Sequence, residues 1–250
     1  MICKFCGENK RLIKAHIIPE AFFRRLRTGQ IPLLMTTNSP GKHPKRLPVG
    51  VYDGTIVCAD CEKIWGQWDS YGQSFLGDIP LGGKPLSVQG RTVAYMVEQY
   101  DYVKLKLFFI SLLWRASASS QPYYARISLG SVESKAKELI LNRNPGTREQ
   151  FSVTLAKFDH PLGTGMLDPH KERPEGINYC RFYLGGYVAY IKTDSRPGVA
   201  HLRDFALSPS GPLYVIARDL ERSKELPLIK KMLKNPLVGQ AASRLLARRK

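Results

Sequence analysis

The sequence holds no uninterrupted apolar run long enough to cross a bilayer, although hydrophobic residues make up 43% of it. An ordinary transmembrane helix is therefore excluded. It also lacks a Gly-x-x-x-x-Gly-Lys phosphate loop and a Gly-x-Ser-x-Gly elbow, which argues against ATP-driven and serine-hydrolase chemistry. No unit repeats at solenoid periods, and no low-complexity tract interrupts the chain. The opening MICKFC does not show the charged, apolar and small-residue regions of a secretory leader in that order, so a cytoplasmic protein is expected.

Negative charge is scarce. Twenty-one Asp and Glu stand against 38 Lys and Arg, a formal net charge of +17 over 250 residues. Such an imbalance calls for a polyanionic partner, and nucleic acid leads. A membrane surface would attract the same charge, but no Lys-rich amphipathic helix with an aromatic anchor is evident. Solubility charge, the plainer alternative, usually mixes both signs.

Cysteine is also sparse, and four of the five fall into two Cys-x-x-Cys pairs, Cys3/Cys6 and Cys58/Cys61. In a cytosolic chain this spacing predicts a tetrahedral four-cysteine Zn2+ site rather than disulfides. A redox Cys-x-x-Cys would follow a strand in a thioredoxin-like setting, and CKFCGENK has none before it. Cys180, in NYCRFYLGGYVAYI, fits a buried strand cysteine.

Residues 7–57 lie between the two pairs. Closing such a segment costs roughly 3–4 kcal/mol, whereas a structural zinc ion contributes on the order of 10 kcal/mol or more. The metal can therefore hold an irregular insertion. NKRLIKAHIIP predicts a short strand around His16, ended by Pro19. An isolated histidine there would be a half-buried side chain satisfied by a backbone carbonyl. AFFRRLRTG predicts one or two basic helical turns before Gly29, and TTNSPGKHPKRLPVG a basic loop. A strand from GTIV is expected to enter the second pair, with a helix from Asp60 burying Ile64, Trp65 and Trp68 on one face.

Paired knuckles around a His-Ile-Ile-Pro strand, a loop and a helix resemble the zinc-stapled branch of the His-Asn-His (HNH) nucleases. More narrowly, AHIIPEAF, VCADCEKIWGQWDSYG and KLFFISLLWRAS are similar to bacterial proteins known only as HNH-like, and the resemblance covers about the first half of the chain. It implies a ββα-metal module in which His16 is the general base and Asn38 the loop asparagine that orients it. It further implies DNA as substrate and a divalent ion, Mg2+ or Mn2+, that stabilises charge on the phosphate. A defence or mobile-element role follows from family company alone. Family members often carry a metal ligand just before the base, where this chain has Ala15, and His or Asn after the second knuckle, where it has Glu62. A carboxylate suits a hard cation. Asp69 and His43 are the candidate replacements for the missing ligand. His16 is then either a base in a shifted metal site or part of a module that only binds. Arg24, Arg25, Arg27, Lys42, Lys45 and Arg46 are the basic residues expected to meet phosphates.

Beyond residue 80 the pattern changes. YDYVKLKLFFISLLWRASA, free of Gly and Pro, predicts a buried helix over 100–118, with Arg115 expected to snorkel at its end. SVESKAKELILNRNPG predicts a surface helix with a serine start. FSVTLAKF, YCRFYLGGYVAYIKT and GPLYVIARD predict strands, with a turn or bulge at Gly185-Gly186. FDHPLGTGMLDPHKERPEG reads as a connector, and LPLIKKMLKNP and LVGQAASRLLARRK as two short helices. The expected fold class is α+β: a zinc-stapled module at 1–80 and an α+β companion domain at 81–250. The function expected is metal-dependent hydrolysis of nucleic acid. The alternative is a non-catalytic zinc protein that binds nucleic acid or senses a protein partner, alone or as a homo-oligomer.

Overall fold

The computed structural model describes residues 1–24, 26, 33–35, 45–47, 49–78, 83–164 and 167–247. The elements, in chain order, are β1 (Ala15–His16), α1 (Glu20–Arg24), β2 (Leu34–Met35), β3 (Lys45–Arg46), β4 (Tyr52–Asp53), α2 (Ala59–Gln73), β5 (Lys84–Val88), β6 (Arg91–Val97) and α3 (Tyr102–Ala118). They continue with α4 (Glu133–Leu141), β7 (Val153–Phe158), β8 (His170–Glu172), β9 (Tyr179–Leu184), β10 (Tyr187–Lys192), α5 (Ala200–Arg203), β11 (Leu213–Arg218), α6 (Glu225–Leu233) and α7 (Pro236–Ala247). The chain is α+β.

A seven-stranded mixed sheet in the order β5-β6-β11-β7-β10-β9-β8 forms the second half. Only β7 and β11 run parallel, Val215 opposite Leu155. The expected strands are present, and Gly185 and Gly186, both at positive φ, make the tight β9–β10 turn. Positive φ at Gln89 and Gly90 closes β5–β6 in the same way, a hairpin not anticipated from the sequence. Side chains alternate between two apolar layers. Val153, Leu155, Phe182 and Ala189 pack towards α3, while Phe158, Tyr183, Val188 and Tyr190 pack towards Leu202 of α5 and Leu226 and Ile229 of α6.

The buried helix lies where expected. Asp101 caps α3 by accepting the Lys104 N–H at 2.9 Å, and Leu105 through Leu113 are buried on every side. Each large apolar side chain there contributes about 1.5–3 kcal/mol. α3 belongs to one continuous core with Cys3, Trp65, Leu155 and Val215, so apolar packing runs across residue 80 without a break. Helices α2 and α3 approach so closely at Gly72 that a Cβ there would lie 2.6 Å from Cγ of Phe108. Two expectations need correction. α4 begins after a 3-10 turn at Gly130–Val132 with no side-chain cap, so no serine starts it. The GTIV segment enters the second Cys pair through a bend and a single bridge, Leu12 to Cys58, rather than a strand.

Candidate functional site

The four paired cysteines come together. Their sulfurs all lie within 4.8 Å of one another, with Cys3 Sγ and Cys61 Sγ 3.7 Å apart. Tetrahedral Zn–S bonds of about 2.3 Å require sulfurs at that separation, so the residues fit a metal ion such as zinc. The first pair turns at Gly7, whose N–H donates to Cys3 O, and the Cys58 N–H donates to Cys3 Sγ at 3.4 Å. Burial opposes ionisation of Cys3, but the N–H groups of Cys6, Cys58 and Phe5 outweigh it and bring its thiol down to about 7. Burial and then the sulfurs of Cys58, Cys6 and Cys3 push Cys61 up. Crowded sulfurs resist joint ionisation unless a cation sits among them. Phe5 anchors the knuckle, meeting Trp65 of α2 edge-on at 5.4 Å and Trp114 of α3 at 4.8 Å. Cys180 lies apart, fully buried in β9, its thiol pushed up to about 12 by that burial.

From this staple the chain runs into β1, which pairs antiparallel with β4, Ala15 opposite Asp53 and His16 opposite Tyr52. Asp53 is fully buried. It accepts hydrogen bonds from the N–H and hydroxyl of Thr55 and Ser120 and from the Ser119 hydroxyl, which tie the β1–β4 pair to the end of α3. Burial raises its pKa, but these donors prevail and hold it at about 2.

His16 is half-buried, with Nε2 2.9 Å from the carbonyl oxygen of Val49. This is the backbone carbonyl expected for a half-buried histidine. A carbonyl only accepts, so Nε2 carries the proton and, in the neutral ring, Nδ1 keeps the lone pair. Nδ1 has no hydrogen-bond partner among the described residues. Exposed Tyr52 meets the ring edge at 6.0 Å, and Lys14 Nζ lies 5.3 Å from the centre of the Tyr52 ring.

Arg115 does not snorkel. It is fully buried and forms a bidentate pair with Asp69, Nη2 to Oδ1 at 2.6 Å and Nη1 to Oδ2 at 2.8 Å. The same Nη1 donates to the His16 carbonyl at 2.9 Å, and the guanidinium lies over the Trp65 ring. Asp69, a candidate metal ligand, thus has both of its oxygens engaged by Arg115. Glu62, one residue past Cys61 on the same face of α2, behaves differently. Its buried Oε2 makes no hydrogen bond within normal distance, and burial, opposed by the Arg115 charge and the nearby Trp65 N–H, raises its pKa. That orphaned oxygen fits a hard cation. Ala15 is buried and offers no donor.

Among the described residues the four cysteines form the only group of three or more metal-binding side chains. His16, Glu62 and Asp69 share a neighbourhood without converging on one point. Arg24 is exposed and lies 3.5 Å from Glu20, and Arg46 is exposed on β3. Arg25, Arg27, Asn38, Lys42 and His43 lie outside the described residues, as does the side chain of Lys45. Sequence reasoning missed Lys14, Tyr52 and Asp53. The alternation in Val51-Tyr52-Asp53, one residue inward and the next outward, was the available signal. No helix among the described residues is long and apolar enough to cross a membrane. Comparison with protein-family models, curated proteins and solved structures finds no match.

Proposed function

We propose that the chain is an HNH-like nuclease that hydrolyses nucleic-acid phosphodiesters, with DNA the favoured substrate and His16 the general base. One observation carries this reading: Nε2 is held by Val49 O, which leaves the Nδ1 lone pair without a partner among the described residues on a half-buried ring. The order β1, β4, α2 supports it, as a strand, a strand and a helix around a zinc staple is the arrangement that a ββα-metal module requires.

Nδ1 accepts the proton of the water that attacks phosphorus. Arg115, held by Asp69, donates to the His16 carbonyl and so fixes the strand that carries the ring. Lys14 offers positive charge to the backbone, and exposed Tyr52 a face on which a base can stack. A divalent ion such as Mg2+ or Mn2+, held at Glu62, would stabilise charge on the phosphate.

The second reading is a zinc protein that binds nucleic acid without cutting it. It is favoured by the capture of Asp69 by Arg115 and by the absence of a second metal-binding cluster among the described residues. Plasmid and single-stranded DNA, incubated with Mg2+ or Mn2+ and either wild type or His16→Ala at matched zinc content, separate the two. The nuclease reading expects the wild type to cut and the variant to lose at least about a hundredfold in rate. Equal DNA binding by both proteins with no cutting by either supports the second reading instead.

A further inference from the structure

The sheet face opposite α3 carries a charged cluster that the proposed nuclease chemistry does not use. Arg218 of β11 pairs with both oxygens of Glu225, at 2.8 and 3.1 Å, and Arg181 of β9 donates to Glu225 Oε1 at 2.8 Å. The Tyr183 hydroxyl donates to the same oxygen at 3.0 Å. Glu225 opens α6 and is that helix's only fully buried residue. Leu226 and Ile229 are just partly buried beneath it. The Glu225 carboxylate is thus the one fully buried anchor of the helix, beside the partial packing of Leu226 and Ile229.

The receiving groups are positioned without Glu225. The Arg218 guanidinium lies 4.5 Å from the centre of the Phe158 ring, and that of Arg181 4.8 Å from Tyr190. Glu172 of β8 holds the other end of Arg181 at 2.8 Å. Arg181 is 6% exposed, and its Nε is buried without an acceptor. A carboxylate offers two oxygens to this set of donors. A phosphate monoester offers three and a second negative charge, in the geometry that arginine forks match best.

We propose that Arg181, Arg218 and Tyr183 form a phosphate-monoester site that the Glu225 carboxylate occupies in this structure, so that ligand entry and release of α6 are one event. Because Glu225 is tethered beside the site, a ligand must displace it, and the apparent affinity of the wild type is reduced accordingly. The inference is independent of the nuclease reading: Tyr183 packs in the second apolar layer, whereas Ala15 and Ile17, on either side of His16, pack in the first.

The test uses the full chain with deoxyadenosine 5′-monophosphate, deoxyadenosine and inorganic phosphate as probes. Saturating deoxyadenosine 5′-monophosphate should accelerate hydrogen exchange across 225–233 in the wild type, and deoxyadenosine should not. Calorimetry should show Glu225→Gln binding the monophosphate about tenfold or more tighter than wild type, a gain that a second change, Arg218→Gln, removes. Tighter binding of the nucleotide than of inorganic phosphate makes a nucleotide the source; equal binding makes it the free ion. If α6 exchange in the wild type is unchanged by either phosphate at saturation, the proposal fails, whether or not Glu225→Gln folds.

Discussion

β1 and β4 pair over two positions, Ala15–Asp53 and His16–Tyr52, whereas β9 and β10 pair over six, from Tyr187–Leu184 to Lys192–Tyr179. The short ladder carries the candidate chemistry and the long one carries the fold. Two-residue strands form few ladder hydrogen bonds, so the β1–β4 pair rests on core packing of Ala15, Ile17, Ile18 and Val51 together with cross-links of another kind: four sulfurs, the Arg115–Asp69 pair and the Asp53 carboxylate. The sheet depends on alternating apolar side chains that fill two layers. Local order in the first region therefore combines apolar packing with a few polar cross-links, and in the second comes from a long ladder and apolar packing on both faces.

The comparison can be broken most severely at the staple. Cys61→Ser removes one of four ligands; a site that then fails to hold its metal forfeits up to the order of 10 kcal/mol, comparable with the whole stability of a typical domain. Urea titration should show the variant unfolding its N-terminal region at denaturant concentrations that leave the wild type folded. Next comes Arg115→Met, which leaves the partly buried Asp69 without its ion-pair partner and should cost about 3 kcal/mol by chemical denaturation. Adding Asp69→Leu should recover most of that loss, because the uncompensated charge goes with it.

Asp53→Ala is expected to cost about 2–3 kcal/mol, since the Ser119, Ser120 and Thr55 donors lose a charged acceptor. Its pH signature is specific. The folded pKa of about 2 lies below the ordinary 3.8, so the stability Asp53 adds is complete above about pH 4 and is lost as pH falls towards 2. Acid titration of the wild type should show that limb, and the variant should lack it. The smallest effect is Gly72→Ala, where the new methyl meets Phe108. Overpacking there should lower stability by about 1–3 kcal/mol in thermal unfolding, with zinc content unchanged.

The same contrast explains what was legible in the sequence. α3 and the strands β7, β9, β10 and β11 follow from hydrophobic period and β-branched enrichment, because burial on both faces leaves a continuous signature. The four-cysteine cluster was legible from spacing alone, since four thiols in two Cys-x-x-Cys pairs match the ligand pattern of a tetrahedral metal site. Arg115 was misread because a charged residue near a helix end usually reaches water. Its partner, Asp69, lies 46 residues earlier in the chain, on another helix. Asp53 was invisible for a similar reason: its donors at Ser119 and Ser120 come from the far end of α3. The β5–β6 hairpin was missed because its side chains are mostly exposed, and exposure leaves no apolar alternation to read.

The central claim is that a bound metal, rather than local propensity, holds the strand that presents His16. Hydrogen exchange of the intact chain before and after zinc removal by a chelator tests it most directly, comparing the amides of residues 12–18 with those of 153–158 and 187–192. The account predicts that protection of the first segment collapses while the two sheet strands keep theirs. Unchanged protection at 12–18 in the metal-free protein would contradict it.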